Sequence, residues 1–226
     1  MKKNIKTILI AGIALCIFAC KKSQSTYNPS GMVNVTNAVI GGSALAVNNT
    51  GQTAYSNSYV QVPLLSGDNR LKLYVASTST TPSITYYDQP FSVATAGYYS
   101  LFLTGISPTQ VDAVLINESY KSYTDSTCGV RFINLSPNSG PISVNIQGAA
   151  QGSEVSTLAY KAYTTFKQHP AKMVNANYVF EIRDAGTGNL ITTYTMFTPW
   201  FQNVTLALRG LVGGTPAAGI ILDKDY

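Results

Sequence analysis

MVNVTNAVIGGSALAVNNTG at residues 32–51 lies without a gap over GVRFINLSPNSGPISVNIQG at residues 129–148, 97 residues further on. Val33 meets Val130, Asn37 meets Asn134, Val47 meets Val144, Asn48 meets Asn145 and Gly51 meets Gly148. Later, YYSLFLTGI at residues 98–106 lies over NVTLALRGL at residues 203–211 with a spacing of 105, which pairs Leu101 with Leu206, Leu103 with Leu208 and Gly105 with Gly210. Self-similarity at a fixed spacing marks a repeated unit. The change of spacing is a single insertion of eight residues, and because Tyr55 and Tyr160 already obey the larger spacing it falls in AAQGSEVSTL, residues 149–158.

Each copy divides into seven strand-like runs bounded by Gly, Pro, Asn or Ser, in the first copy near 32–37, 43–48, 55–62, 70–76, 83–87, 97–104 and 111–117. Leu71, Leu73 and Val75 alternate with Arg70, Lys72 and Tyr74, and Tyr178, Phe180 and Ile182 alternate with Val179, Glu181 and Arg183. A period of two residues belongs to a strand with one buried face. The composition agrees: 226 residues, 45% hydrophobic, 15 Tyr, 18 Gly and 10 Pro, with only 11% charged. Such a chain has ample apolar area for a core and is far from the composition of a disordered tail.

The expected fold is therefore all-β, two tandem immunoglobulin-like β-sandwich domains, residues 31–118 and 128–226, joined by a polar linker at 119–127. Each copy holds its own set of alternating strands, so the second is expected to fold alone.

The sandwiches follow an N-terminal lipoprotein signal peptide. Residues 1–19 read MKKNIKTILIAGIALCIFA, a basic start and an apolar run too short to span a bilayer at about 20 residues. Cys20 follows, and the sequence around it resembles the lipobox of bacterial lipoproteins, which implies a lipidated Cys20 and a tether over residues 20–30. Lys21 rather than an acid comes next, which points to the outer membrane, on either its periplasmic or its cell-surface face. The formal charge of +5 comes from Lys2, Lys3, Lys6, Lys21 and Lys22; from Ser23 on, ten basic residues face ten acidic ones. A nucleic-acid partner is excluded, since no basic stripe is left to displace counterions.

VRFINLSPNSGPISVNIQG also resembles the opening of a Bacteroidetes-rich family, the domain of unknown function 4397. Val130, Arg131, Ser136, Pro137 and Val144 carry the likeness, whereas the first copy has Ala38-Val39-Ile40-Gly41 where Ser-Pro would stand. The resemblance implies a β-sandwich envelope protein and brings no catalytic residue with it.

The chemistry-bearing residues are sparse. His169 is the only histidine and reads as a loop residue; Cys128 reads as a small buried residue, without a partner for a disulfide once Cys16 and Cys20 are set aside. Asp184-Ala-Gly-Thr-Gly-Asn189 lacks the second acid and closing Glu of a calcium loop and reads as a tight turn. No metal, cofactor or enzyme activity is expected.

Aromatic side chains are the enriched class, and Trp200, Phe201 and Tyr194 are the candidate ligand-binding residues, with Trp200 exposed at a turn. Asp125-Ser126-Thr127 reads either as an Asp-Ser turn or, through its resemblance to the Bacteroidetes O-glycosylation motif, as a site for a glycan on Ser126. The expected role is a non-catalytic, outer-membrane-anchored binding or scaffolding module with a glycan or envelope-protein partner. The alternatives are an adhesin assembling through strand edges, and a polysaccharide-processing enzyme.

Overall fold

A computed structural model describes residues 30–48, 50–78, 83–172, 177–197 and 200–225. The leader, Cys20 and most of the tether lie outside the described residues. Within them the chain is all-β, with sixteen strands and no helix. The first copy forms β1 (Ser30–Asn37), β2 (Leu45–Val47), β3 (Gln52–Ala54), β4 (Ser58–Leu65), β5 (Gly67–Val75), β6 (Ile84–Val93), β7 (Tyr98–Ser107) and β8 (Gln110–Glu118). The second forms β9 (Thr127–Asn134), β10 (Ile142–Ile146), β11 (Val155–Leu158), β12 (Lys167–Pro170), β13 (Asn177–Asp184), β14 (Leu190–Phe197), β15 (Asn203–Arg209) and β16 (Gly219–Lys224).

The strands make four sheets, ordered β4-β1-β7-β8, β3-β2-β5-β6, β12-β9-β15-β16 and β11-β10-β13-β14. The second pair repeats the first. Val35 pairs with Leu101 on the parallel strands β1 and β7, and Phe132, 97 residues after Val35, pairs with Leu206, 105 after Leu101. Gly105 and Gly210 sit at the matching bend with φ of +141° and +83°, and a Cβ on either would lie 2.0 Å from the Gln110 carbonyl oxygen or 2.4 Å from that of Ala217. Only glycine fits where two backbones come that close.

Each copy has eight strands rather than the seven expected. The extra one, β3 or β11, is three or four residues long and too short to show a period. Strand order also departs from the immunoglobulin arrangement, in which the first strand lies at the end of its sheet. Here β1 and β9 are central, flanked by the fourth and seventh strands of their copies.

Val33, Val35, Leu101 and Leu103 meet Leu45, Val47, Leu71 and Leu73 in one core. Val130, Phe132, Leu206 and Leu208 meet Val144, Phe180, Ile182 and Met196 in the second. A third core lies between the copies: Ala38, Phe102 and Ile116 pack on Ile133, Leu135, Ala207 and Ile221. The sheets of β1 and β9 thus lie face to face, and β1, β7, β9 and β15 are covered on both sides. Their runs of buried residues lack the alternation seen in β5. The copies are consequently not independent modules on a loose linker. The connection itself is pinned, with Tyr123 buried and Tyr120 edge-on to Phe166.

The insertion falls where the repeat placed it, between β10 and β11, but its last residues are not loop. Val155–Leu158 is β11, with Leu158 buried.

Candidate functional site at the seam between the copies

Arg131 lies on β9 between Val130 and Phe132, which point into the second core, so its side chain points to the first copy. There it is almost fully buried. Its Nη1 and Nη2 donate to the two oxygens of Glu118 at 3.0 and 2.7 Å, its Nε donates to Thr205 at 2.9 Å, and Nη2 reaches Asp225 at 3.3 Å. The guanidinium also lies 4.4 Å from the Phe166 ring centre. A planar fork of this kind suits arginine and no other side chain. Glu118 and Asp225 come from matching places in the two copies, beside Tyr98 and Asn203, so the clamp takes one acid from each.

Asp223, two residues earlier, accepts from Asn34 and Thr36 of the first copy, each at 2.5 Å. Burial pushes the Asp223 carboxyl up to about 6, against the lowering effect of those two hydrogen bonds. Burial, and then the neighbouring Asp223, pushes Asp225 up to about 8. For Arg131 burial works toward a lower value, but the Glu118 hydrogen bonds and the acids around it hold the guanidinium above its ordinary value. One buried cation cannot balance three buried carboxylates, and Asp225, the acid raised furthest, relieves the excess by holding a proton near neutral pH.

Two cavities open along this seam, between β8 and the segment 160–166. One, about 370 Å³, is lined by Asn117, Ser119, Lys121, Tyr163, Thr165 and Phe166, with Arg131 and Glu118 at its inner wall. The other, about 420 Å³, is lined by Thr109, Gln110, Asp112, Pro137 and Tyr160. Tyr160 and Lys161 both bond to Asp112 across the seam at 3.1 Å. Aromatic faces, hydroxyls and amides line these two cavities, and such sites favour the junctions of domains.

The residues singled out in the sequence lie elsewhere, and they do not form one platform. Trp200 is 50% exposed, as expected, and Phe201 is 45% exposed. Tyr194 is half-buried against the second core, on the face of β14 opposite the outward-pointing Phe197. Tyr163 and Arg131, which do line the seam, drew no notice as site residues. Arg131 carried only a family likeness, and Tyr163 was one of fifteen tyrosines.

His169 is a strand residue of β12, not a loop residue, and is 4% exposed. It stacks edge-on with Tyr178, and its Nε2 faces the Glu154 carboxylate at 3.4 Å. Burial lowers its pKa more than Glu154 raises it. Cys128 is buried opposite it, with a thiol pushed by desolvation to about 11, far from a reactive thiolate.

Ser126 is half-buried with φ of +56°, and its carbonyl accepts from Ala171. Asp125 accepts from the Thr127 hydroxyl at 2.6 Å and from Gln168 at 3.1 Å, at a bend just ahead of β9. Asp184 likewise takes the amides of Gly186 and Thr187 in its own turn. Among the described residues no three His, Cys, Asp or Glu side chains gather as a metal site would need.

The residues that carried the family likeness have separate places in the structure: Val130 and Val144 lie in the second core. Arg131 joins the copies, Ser136 donates to the Gly210 carbonyl at 2.7 Å, and Pro137 lines the larger cavity. A scan against protein-family models finds no match, and a search of curated proteins finds no significant relative.

Proposed function

We propose that the chain is a non-catalytic binding module of the cell envelope, two tandem β-sandwiches of immunoglobulin-like architecture, held to the outer membrane by lipid on Cys20, and that its ligand is a glycan taken along the seam. The observation that carries the glycan reading is Tyr163. It is 46% exposed in a cavity whose other walls offer the amide of Asn117, the hydroxyls of Ser119 and Thr165 and the ammonium of Lys121. A flat ring beside mixed donors and acceptors fits the apolar face and hydroxyl rim of a sugar. Kinship with the domain of unknown function 4397 family belongs to the same proposal and rests on Val130, Arg131, Ser136, Pro137 and Val144.

A glycan array probed with the purified chain tests the ligand class. Binding that Tyr163→Ala weakens about tenfold supports the reading. An array without signal, or a signal that Tyr163→Ala leaves intact, contradicts it. Cell fractionation tests the anchor, with Cys20→Ser expected to move the protein from the membrane to the soluble envelope fraction.

The adhesin reading has one observation in its favour. β14 is an edge strand, LITTYTMF, without the lysine, proline or other charge that blunts an open edge. Concentration-dependent polymerisation of the purified chain, abolished by Thr193→Lys, would favour it over the glycan reading.

A further inference from the structure

The two copies point the same way. Asn34 of β1 meets Asp223, which lies level with Arg131 of β9, and Thr104, beside the end of β1, donates to the Leu135 carbonyl just past β9. The starts of β1 and β9 therefore share one end of the molecule. Ala96 donates to the Ser30 carbonyl there, and Phe201 donates to the Thr127 carbonyl in the matching turn of the second copy.

At that end three aromatic side chains stand within five residues: Phe197, 75% exposed, Trp200 and Phe201. The first copy builds the same strand and turn with Ser92, Thr95 and Ala96 at the equivalent places. Ala96 and Phe201 even share a left-handed backbone, with φ of +56° and +61°. The turn thus forms with small residues, and its aromatic side chains serve no packing need that the first copy shares. Lys172 is exposed at the same end, as is Lys121, which donates to Gln168 at 2.9 Å; the acids exposed there are Asp125, hydrogen-bonded by Thr127 and Gln168, and Asp68 of the first copy, beside Ser92.

This end is also where the chain arrives from Cys20. Nine residues lie between Cys20 and Ser30, a reach of at most about 35 Å when fully extended. We propose that this end of the molecule rests on the lipid bilayer, with Phe197, Trp200 and Phe201 seated among the headgroups and Lys172 facing the phosphates. The placement next to a membrane rests on the lipidation of Cys20 proposed above. The amphipathic tryptophan ring favours the bilayer interface, phenylalanine adds apolar area to bury there, and a lysine adds attraction to anionic lipid. The seam would then stand upright on the membrane, its cavities open to the side.

Trp200 is the only tryptophan in the chain, so its fluorescence reports this end alone. The test uses the mature chain with Cys20→Ser, purified without acyl groups, and vesicles of mixed phosphatidylethanolamine and phosphatidylglycerol. We expect a blue shift of the Trp200 emission and quenching by brominated acyl chains. Co-sedimentation with the vesicles should fall about tenfold or more when Phe197→Ser, Trp200→Thr and Phe201→Ala restore the residues of the first copy. Unchanged emission and no co-sedimentation overturn the proposal, as does a shift produced by soluble oligosaccharide and not by vesicles, which would make this end a glycan site. Because the probe carries no lipid of its own, the result stands apart from the fractionation test of Cys20.

Discussion

Asn37 and Asn134 make the same three contacts in the two copies. The amide of Asn37 donates to the carbonyls of Ser43 and Ala54 at 2.9 and 3.4 Å, and its oxygen accepts from the Val39 amide at 3.4 Å. Asn134 donates to Gly140 and Leu158 at 3.2 and 3.3 Å and accepts from Ser136 at 3.1 Å. Each fully buried asparagine ties the end of its first strand to the following loop and to the short third strand. An unpaired buried polar group costs about 1–3 kcal/mol. Asn134→Ala is expected to lower the unfolding free energy by about 2–4 kcal/mol in a urea titration, and Asn37→Ala by a similar amount.

The third core makes a prediction about fragments. Residues 128–226 produced alone would expose Ile133, Leu135, Ala207 and Ile221 and would leave Arg131 without Glu118. An uncovered apolar sheet face of this kind drives association. Analytical ultracentrifugation should find the fragment associated or aggregated, whereas the full chain unfolds in a single transition.

Acidity should act on the seam and on His169 in opposite directions. Asp223 and Asp225 titrate at about 6 and about 8 when folded, above the usual unfolded value near 4. The folded state therefore binds more protons between these limits, and this contribution to stability, complete below about pH 4, is lost as the pH rises through about 6 to about 8. Asp225→Asn should flatten the upper part of that slope. The His169 imidazole is held below its ordinary value by burial, so its contribution is lost as the pH falls below about 6.5. Urea titrations across this range, repeated with His169→Phe, separate the two.

Much of this architecture was legible in the sequence because a duplicated fold repeats its constraints. Asn37 with Asn134 and Gly105 with Gly210 recur because each does a job that no other residue does at that place. Spacings of 97 and 105 give the register of the parallel strand pairs, and the change between them locates the insertion. The face-to-face packing of the copies was hidden by an assumption about alternation. A period of two carried onto VRFIN would put Arg131 and Ile133 on the solvent side, but Ile133 belongs to a core and Arg131 to a buried clamp. Strands covered on both faces lose the period of two. The seam cavity was out of reach for the same reason, because Asn117 and Tyr163 come together only once the copies dock. The exposure of Trp200 followed from its turn, whereas the separation of Tyr194 from it depends on which face of β14 looks inward.

The seam exists only if the copies are joined as described, and Glu118 and Arg131, from different copies, offer the most direct test. A double-mutant cycle with Glu118→Gln and Arg131→Met, read by equilibrium unfolding of the full chain, isolates their coupling. A bidentate pair buried in a shared interface should give a coupling of about 2 kcal/mol or more, with each single variant losing about 3–5 kcal/mol. Copies that merely hang on a linker would give single-variant losses that add to within about 0.5 kcal/mol, and that additivity would contradict the fused architecture.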